Sequence, residues 1–150
     1  MEKRLAKCTG LTKKEGTMAN YYAYARSNYF RVNDISKFDE FCKNHSFEKI
    51  EDKSGRVGFL VNDEDGMPSS QWDEKTEEYV DADPLEELSP LLKKGEVAVV
   101  MQIGWEKMRY LTGWATAIDC NGKTVRSDIS DIYKLAKKKF KAKVIILCEY

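Results

Sequence analysis

The residues that could carry chemistry are concentrated in one acidic segment. The chain has 150 residues and zero formal net charge, yet eleven of its 25 acidic residues lie between Asp63 and Glu87, with a single lysine among them. The segment therefore has a net charge of −10, and the other residues, with 24 basic and 14 acidic side chains, have a net charge of +10. Like charges within about 8 to 10 Å are weakly screened at physiological salt, so such a segment repels itself unless a partner offsets it.

Two interpretations of the acidic segment stay open. Acidic side chains at the start of a helix interact favourably with the helix dipole and keep a protein soluble. This explains Glu86 and Glu87 well, but it explains the acids from Asp63 to Asp81 poorly. Alternatively, spaced carboxylates present negative charge as a phosphate backbone does, and exposed aromatic residues anchor them in a basic groove. The predicted partner-binding residues are Asp63, Glu64, Asp65, Trp72, Asp73, Glu74, Glu77, Glu78, Tyr79 and Asp81.

Catalytic chemistry has few residues to draw on. His45 is the only histidine, and it lies where a helix is predicted to end, a position that favours a structural role. No glycine pattern is typical of a phosphate-binding loop. The "NDEDG" stretch (62–66) would bind a divalent cation only loosely, because it lacks the spaced ligands of a calcium loop. We expect no catalytic residue, no metal and no cofactor; a metal-dependent hydrolase, inactivated by chelator and by Asp63→Asn, is the least supported hypothesis.

A nucleic-acid interface is an alternative interpretation. "YYAYARSNYFRV" (21–32) interleaves aromatic residues with arginines, and residues 121–143 carry eight basic and two acidic side chains. Bases stack on exposed strand aromatics while cations hold the phosphates, although strand aromatics more often fill a core, which is the interpretation we favour for the tyrosines. The residues of this alternative interface are Arg26, Arg31, Lys137, Lys138, Lys139 and Lys141.

Composition bounds the architecture that must position these residues. A hydrophobic content of 42% with 33% charged residues in 150 positions is typical of one soluble domain. No apolar run approaches the roughly 18 residues that cross a bilayer. Residues 1–17 are basic and polar and are predicted to be a loosely ordered tail, with a single domain over 18–150. The four cysteines lack the spacing of a metal site, which favours free thiols and a cytoplasmic location.

In the first half of the domain, the spacing of the apolar residues changes between the periods typical of strands and of helices. A strand over 21–32 is followed by a helix that Asp34 or Ser36 caps and that ends near Asn44. A hairpin then pairs residues 47–51 with 56–61 around the turn Ser54-Gly55. The acidic segment opens as a loop and closes with the start of a second helix at Asp83-Pro84. Pro90 should either kink this helix or restart it with Ser89 as the cap.

The second half predicts a meander, a helix and a final strand. "EVAVVMQIGW" and "RYLTGWATAID" are strands, and Asn121-Gly122 is typical of a type I′ turn. Asp128 or Ser130 caps a third helix whose apolar residues are expected to face inward, and "AKVIILCEY" (142–150) is the last strand. The predicted order is β-α-β-β-α-β-β-α-β, an α+β fold with an antiparallel or mixed sheet and about three helices. The inward-facing residues of the third helix are Ile129, Ile132, Tyr133, Leu135 and Ala136.

Several short stretches of the sequence resemble a group of known proteins. The stretches "MANYYAYARSNYFRVND", "GMPSSQWDE", "GEVAVV", "EKMRYLTGWA" and "DIYKLAK", which together run from about Met18 to Lys138, are similar to small proteins of phages, plasmids and other mobile elements. Such proteins are often inhibitors of host defence, including anti-CRISPR and antirestriction proteins, and several of those resemble DNA in charge. The resemblance thus implies an inhibitor, without a motif of known chemistry.

The leading hypothesis from the sequence is a non-enzymatic, cytoplasmic binding protein of a mobile element. It inhibits a host nucleic-acid-binding protein or nuclease by presenting its acidic surface to a basic groove. The second hypothesis is a direct DNA- or RNA-binding module that uses the lysine-rich last helix and the tyrosine-rich strand. The sequence predicts no membrane partner and does not define an oligomeric state.

Overall fold

The described residues form eight strands and three α-helices. The computed structural model describes residues 21–106 and 110–148. The strands are β1 (Tyr21–Ser27), β2 (Glu48–Glu51), β3 (Val57–Val61), β4 (Ser70–Asp73), β5 (Glu78–Asp81), β6 (Val97–Glu106), β7 (Tyr110–Asp119) and β8 (Thr124–Asp128). The helices are α1 (Ile35–Asn44), α2 (Pro84–Leu88) and α3 (Asp131–Phe140), and a 3₁₀ turn (Ser89–Leu91) continues α2.

Six of the strands form one antiparallel sheet in the order β2-β3-β1-β6-β7-β8. Strands β4 and β5 form a separate two-stranded antiparallel sheet. The predicted α+β fold with an antiparallel sheet is therefore confirmed. Among the described residues, no helix has the length and apolar character needed to cross a membrane.

The six-stranded sheet has two different faces because strand side chains alternate. We call the covered side the first face: there α1 and α2 pack on β1, β3, β6 and β7 around Phe30, Phe38 and Phe59. We call the opposite side the second face, and it is lined by the alternate residues of the same strands. Those residues include Tyr22 and Tyr24 of β1, Met101 and Ile103 of β6, Leu111 of β7 and Val125 of β8.

Capping chemistry sets the helix limits largely as predicted. Asp34 accepts hydrogen bonds from the backbone N–H groups of Ser36 and Lys37 at the start of α1. The Asp83 carboxylate accepts one from Leu85 N–H at the start of α2, where Pro84 is the first helical residue. The change to 3₁₀ geometry at Ser89 agrees with the kink expected from Pro90, which lacks a backbone donor.

Two local features differ from the sequence-based prediction. The acidic segment opens as the predicted loop, but its middle forms the β4–β5 hairpin, which was not predicted. The turn before β8 is not type I′, because Gly122 has a positive φ of 80° and Asn121 does not. The Asp119 carboxylate instead accepts hydrogen bonds from the backbone N–H groups of Asn121 and Lys123.

The largest difference lies after β8. The predicted last strand is not formed over residues 142–148, and residues 149–150 lie outside the described part. The inward face predicted for the third helix is wrong for Ile129, Ile132 and Leu135, which are exposed, while Tyr133 and Ala136 are half-buried. Helix α3 ends at Lys141 in the left-handed conformation (φ 54°), and the chain then returns until Cys148 N–H donates to the Tyr133 hydroxyl at 2.7 Å. The predicted tail over 1–17 also lies outside the described residues.

Candidate functional site

The centre of the acidic segment is a hairpin that is separate from the main sheet. Four residue pairs join β4 to β5, from Ser70–Asp81 to Asp73–Glu78. The turn is held at Asp73, whose carboxylate accepts from Lys75 N–H at 2.9 Å and whose backbone carbonyl accepts from Glu77 N–H at 2.9 Å. A defined backbone thus carries the carboxylates that the sequence places here.

An aromatic pair stabilises one side of the hairpin. Trp72 and Tyr79 lie directly across from each other, with ring centroids 5.1 Å apart in an edge-to-face arrangement. Both remain exposed, Trp72 at 48% and Tyr79 at 73%. On the other side, Asp73 lies opposite Glu78, and like charges in directly paired positions destabilise a hairpin. The charges therefore do not serve the stability of the hairpin.

The hairpin and α2 together enclose an open groove of about 630 Å³, which we call the acidic groove. Six carboxylates line it and Lys75 is the one cation in its wall, so the groove is strongly negative. The aromatic ring of Trp72 contributes to the same wall. The lining acids are Asp73, Glu74, Asp81, Asp83, Glu86 and Glu87.

The cations of the described chain leave most of this charge uncompensated. Among the described residues, three carboxylates pair with Lys or Arg and one contacts His45, and only the pair with His45 involves the segment from Asp63 to Glu87. In that pair, His45 Nε2 lies 2.8 Å from Glu87 Oε2. The carboxylates of Glu74, Asp81 and Glu86 form no hydrogen bond or ion pair within the described part of the chain, so they are available to a partner.

Four of the ten predicted partner-binding residues line the acidic groove, and three others lie on the hairpin outside its lining. The four are Trp72, Asp73, Glu74 and Asp81. The three are Glu77, Glu78 and Tyr79. Sequence reasoning assigned Asp83, Glu86 and Glu87 to the start of a helix and missed their place in the groove. The signal for them was that the helix start follows β5 after two residues, which keeps its acids beside the hairpin.

The remaining three predicted residues belong to a different part of the surface. Asp63, Glu64 and Asp65 form a turn that is docked on the main sheet. There Ala23 N–H donates to the Glu64 carbonyl at 2.7 Å, and Met67 N–H donates to Gln102 Oε1 at 2.7 Å. None of the three carboxylates lines the acidic groove. Six of the eleven acids therefore line the groove, three lie in a separate turn, and Glu77 and Glu78 lie on the hairpin outside the groove.

His45 packs as a structural residue would. Its side chain is 5% exposed and its ring lies 5.0 Å from that of Phe41 and 5.3 Å from that of Phe47. Its contact with Glu87 joins the end of α1 to α2. Among the described residues, no group of three or more His, Cys, Asp or Glu side chains is arranged to hold a metal ion.

The residues of the alternative nucleic-acid interface are spread over several elements. Tyr22 and Tyr24 lie on the second face against Trp105, with centroid distances of 6.2 and 5.7 Å. The expectation that these tyrosines fill the core is wrong for Tyr24, which is 65% exposed, because its strand buries the small Ala23 and Ala25 instead. Arg26 shares the second face with Tyr24. Arg31 lies on the loop after β1. The four lysines lie at the end of α3, three in its last turn and one at its C-cap: Lys137, Lys138, Lys139 and Lys141.

Comparison with known proteins adds no relative to this geometry. No family model, no curated protein and no solved structure matches the chain.

Proposed function

We propose that this chain is a non-enzymatic inhibitor of a nucleic-acid-handling host protein, of the anti-CRISPR or antirestriction kind, and that the acidic groove is its binding site. One observation carries the proposal: Glu74, Asp81 and Glu86 border one groove beside an exposed tryptophan and have no partner in the described chain. The cation that compensates them then belongs to another molecule. In this proposal the protein acts in the cytoplasm, where its partner binds nucleic acid.

The groove would compete with nucleic acid through its charge. The hairpin and the start of α2 hold six carboxylates along one groove on a defined backbone. A protein that grips phosphates with Lys and Arg would meet comparable negative charge here, and the complementary fields would speed the encounter.

Aromatic residues would supply affinity that charge alone does not. Charge pairs at a wet interface add little net binding energy, because both groups lose hydration. Trp72 offers a large rigid ring at the edge of the groove, and tryptophan is among the residues that most often dominate an interface when buried by a partner. Trp72 is therefore the proposed anchor, and the surrounding carboxylates set specificity and on-rate.

The test is capture of a partner by the immobilised protein from a bacterial host extract. We expect the wild type to retain a nucleic-acid-binding protein that is released by added DNA and by raised salt, because both compete for the same cations. The triple variant Glu74→Lys, Asp81→Lys, Glu86→Lys should retain none of it. These three carboxylates make no contact that the fold needs, so circular dichroism and thermal unfolding should match the wild type.

A charge-matched control distinguishes position from net charge. The variant Asp39→Lys, Glu40→Lys, Glu51→Lys reverses three exposed carboxylates of α1 and β2, outside the acidic groove. It loses one exposed ion pair, from Asp39 to Lys49, which is worth little. This control should capture the partner as the wild type does. Equal capture by the groove variant would show that the acidic groove is not the site.

A further inference from the structure

The second face is an apolar surface that nothing in the described chain covers. Met101 and Ile103 of β6 are 58% and 60% exposed, and Leu111 of β7 and Val125 of β8 are 59% and 69% exposed. Their partners on the neighbouring strands are apolar as well, since Met101 pairs with Ala115 and Val125 pairs with Ala117. Monomeric proteins rarely expose a contiguous apolar patch of this kind without a binding role.

Helix α3 and the residues after it form a second uncovered apolar surface. Ile132 and Leu135 lie three residues apart, on one side of the helix, and are 58% and 61% exposed. Phe140 is 75% exposed, and Val144 and Ile146 beyond it are 78% and 88% exposed. No residue of α3 is fully buried, so its apolar side chains are largely open to solvent. The described part of the chain thus carries two apolar surfaces that its other described residues leave largely exposed.

We propose that a second copy of this chain covers both surfaces, with α3 and residues 144–147 of each copy packed on the second face of the other. A sheet face and an amphipathic helix are the two kinds of surface that form a layered protein core. In a twofold dimer each copy supplies one of each, so the contact is self-complementary. No partner with a different surface has to be assumed.

The available area is what a stable dimer needs. Twelve large apolar side chains of the two surfaces are each more than half exposed. At ~100 Å² for a half-exposed large side chain they offer on the order of 1,000 Å² per copy, against about 800 Å² per partner in an interface of standard size. They are Tyr24, Met101, Ile103, Leu111, Val125, Ile129, Ile132, Leu135, Phe140, Val144, Ile146 and Leu147.

The charge of the second face favours protein over nucleic acid. Among the described residues of β1, β6, β7 and β8 that point to this face, Arg26 is the one cation, and Asp119 at the far end of β7 is acidic. A nucleic-acid surface needs cations for the phosphates as well as rings for the bases. Aliphatic residues occupy most of this surface, as in the apolar centre of a dimer interface.

Sedimentation over a concentration series tests the proposal. We expect the wild type to be a dimer at ~100 μM and to dissociate on dilution, and both Ile103→Glu and Leu135→Glu to raise the dimer dissociation constant by at least ~100-fold, because each buries a charge twice per dimer. The matched control is Ile35→Glu, a 45% exposed position at the start of α1 outside both surfaces and the acidic groove, which should leave the constant unchanged. Ile103 and Leu135 are mostly exposed within one chain, so circular dichroism should show that both variants fold.

A second measurement needs no substitution. Hydrogen exchange of the α3 amides should be slow in the concentrated wild type and fast after dilution, while β6 amides stay protected throughout. A wild type that sediments as a monomer at ~100 μM overturns the proposal, and a gel shift with single-stranded RNA that Ile103→Glu abolishes would then name nucleic acid as the occupant. A wild-type dimer that both glutamate variants preserve also overturns it. The acidic groove plays no part in these measurements.

Discussion

At the scale of single residues, Gly66 decides whether the acidic turn stays docked on the sheet. Its φ is 80°, and a Cβ there would lie 2.5 Å from Gln102 Oε1 and 2.9 Å from the Ala23 Cβ. Gly55 has nearly the same φ, 78°, but a Cβ there would meet nothing within 4 Å. The two glycines thus share the backbone requirement and differ only in the space around them.

We expect Gly66→Ala to lower the free energy of unfolding by about 2 to 4 kcal/mol, and Gly55→Ala by about 1 kcal/mol. The larger cost arises because the new methyl group displaces Gln102, whose side-chain oxygen accepts the hydrogen bond from Met67 N–H. Urea unfolding of the two variants measures the difference. Equal costs would show that the turn moves freely and that Gln102 does not hold it.

Two cysteines differ in reactivity for a physical reason. Burial, and then the negative charge of Asp39, raises the pKa of the Cys42 thiol to about 11, while Cys148 is exposed. Only the thiolate attacks an alkylating reagent, so at about pH 8 the buried thiol has a small reactive fraction as well as poor access. We expect iodoacetamide to label Cys148 in the folded protein and Cys42 only after unfolding, as read by peptide mass spectrometry. Labelling of Cys42 at the rate of Cys148 would contradict this core position.

At the scale of elements, the Asp73–Glu78 pair of the β4–β5 hairpin costs stability, while its negative charge is proposed to aid binding. Glu78→Lys would place a cation opposite Asp73, so a repulsive cross-strand pair becomes an attractive one worth about 0.2 to 1 kcal/mol. We expect slower hydrogen exchange at the Gln71 and Val80 amides, because the Ala82–Ser69 hydrogen bond and the alternation of an antiparallel ladder make Gln71–Val80 a hydrogen-bonded pair. We also expect weaker capture of the partner. The control Glu74→Lys, in the turn without a cross-strand partner, should weaken capture without slowing exchange. Slower exchange with unchanged capture would show that Glu78 is not part of the interface.

The same scale shows what the sequence could predict. Helix α1 and the β2–β3 hairpin follow from local signals, the Asp34 cap and the Ser54-Gly55 turn, and both form close to their predicted limits. The β4–β5 hairpin was missed because its strands, SQWD and EYVD, are four residues long, mostly polar and unburied, so the usual apolar alternation is absent. The prediction of a last strand was wrong for the opposite reason. Residues 144–147 have strand composition, but a strand needs an edge to pair with, and sequence alone does not supply that partner.

At the scale of the whole molecule, the two proposed surfaces lie on opposite sides of the sheet. The acidic groove belongs to the first-face side with α2, and the apolar surface is the second face. A dimer formed through the second face would leave both grooves open and directed away from each other. If both proposals hold, one dimer engages two basic grooves at once, which strengthens binding to an oligomeric partner through effective concentration.

The separation of charge can be measured without any partner. The chain has zero formal net charge, and the groove variant (Glu74→Lys, Asp81→Lys, Glu86→Lys) and the control variant (Asp39→Lys, Glu40→Lys, Glu51→Lys) would each have +6. An anion-exchange resin binds the most negative patch and not the net charge, because screening confines each interaction to about 8 to 10 Å. We expect the wild type to be retained near neutral pH and the control variant to elute only slightly earlier, while the groove variant flows through. Identical elution of the two variants would mean that the carboxylates do not act as one surface.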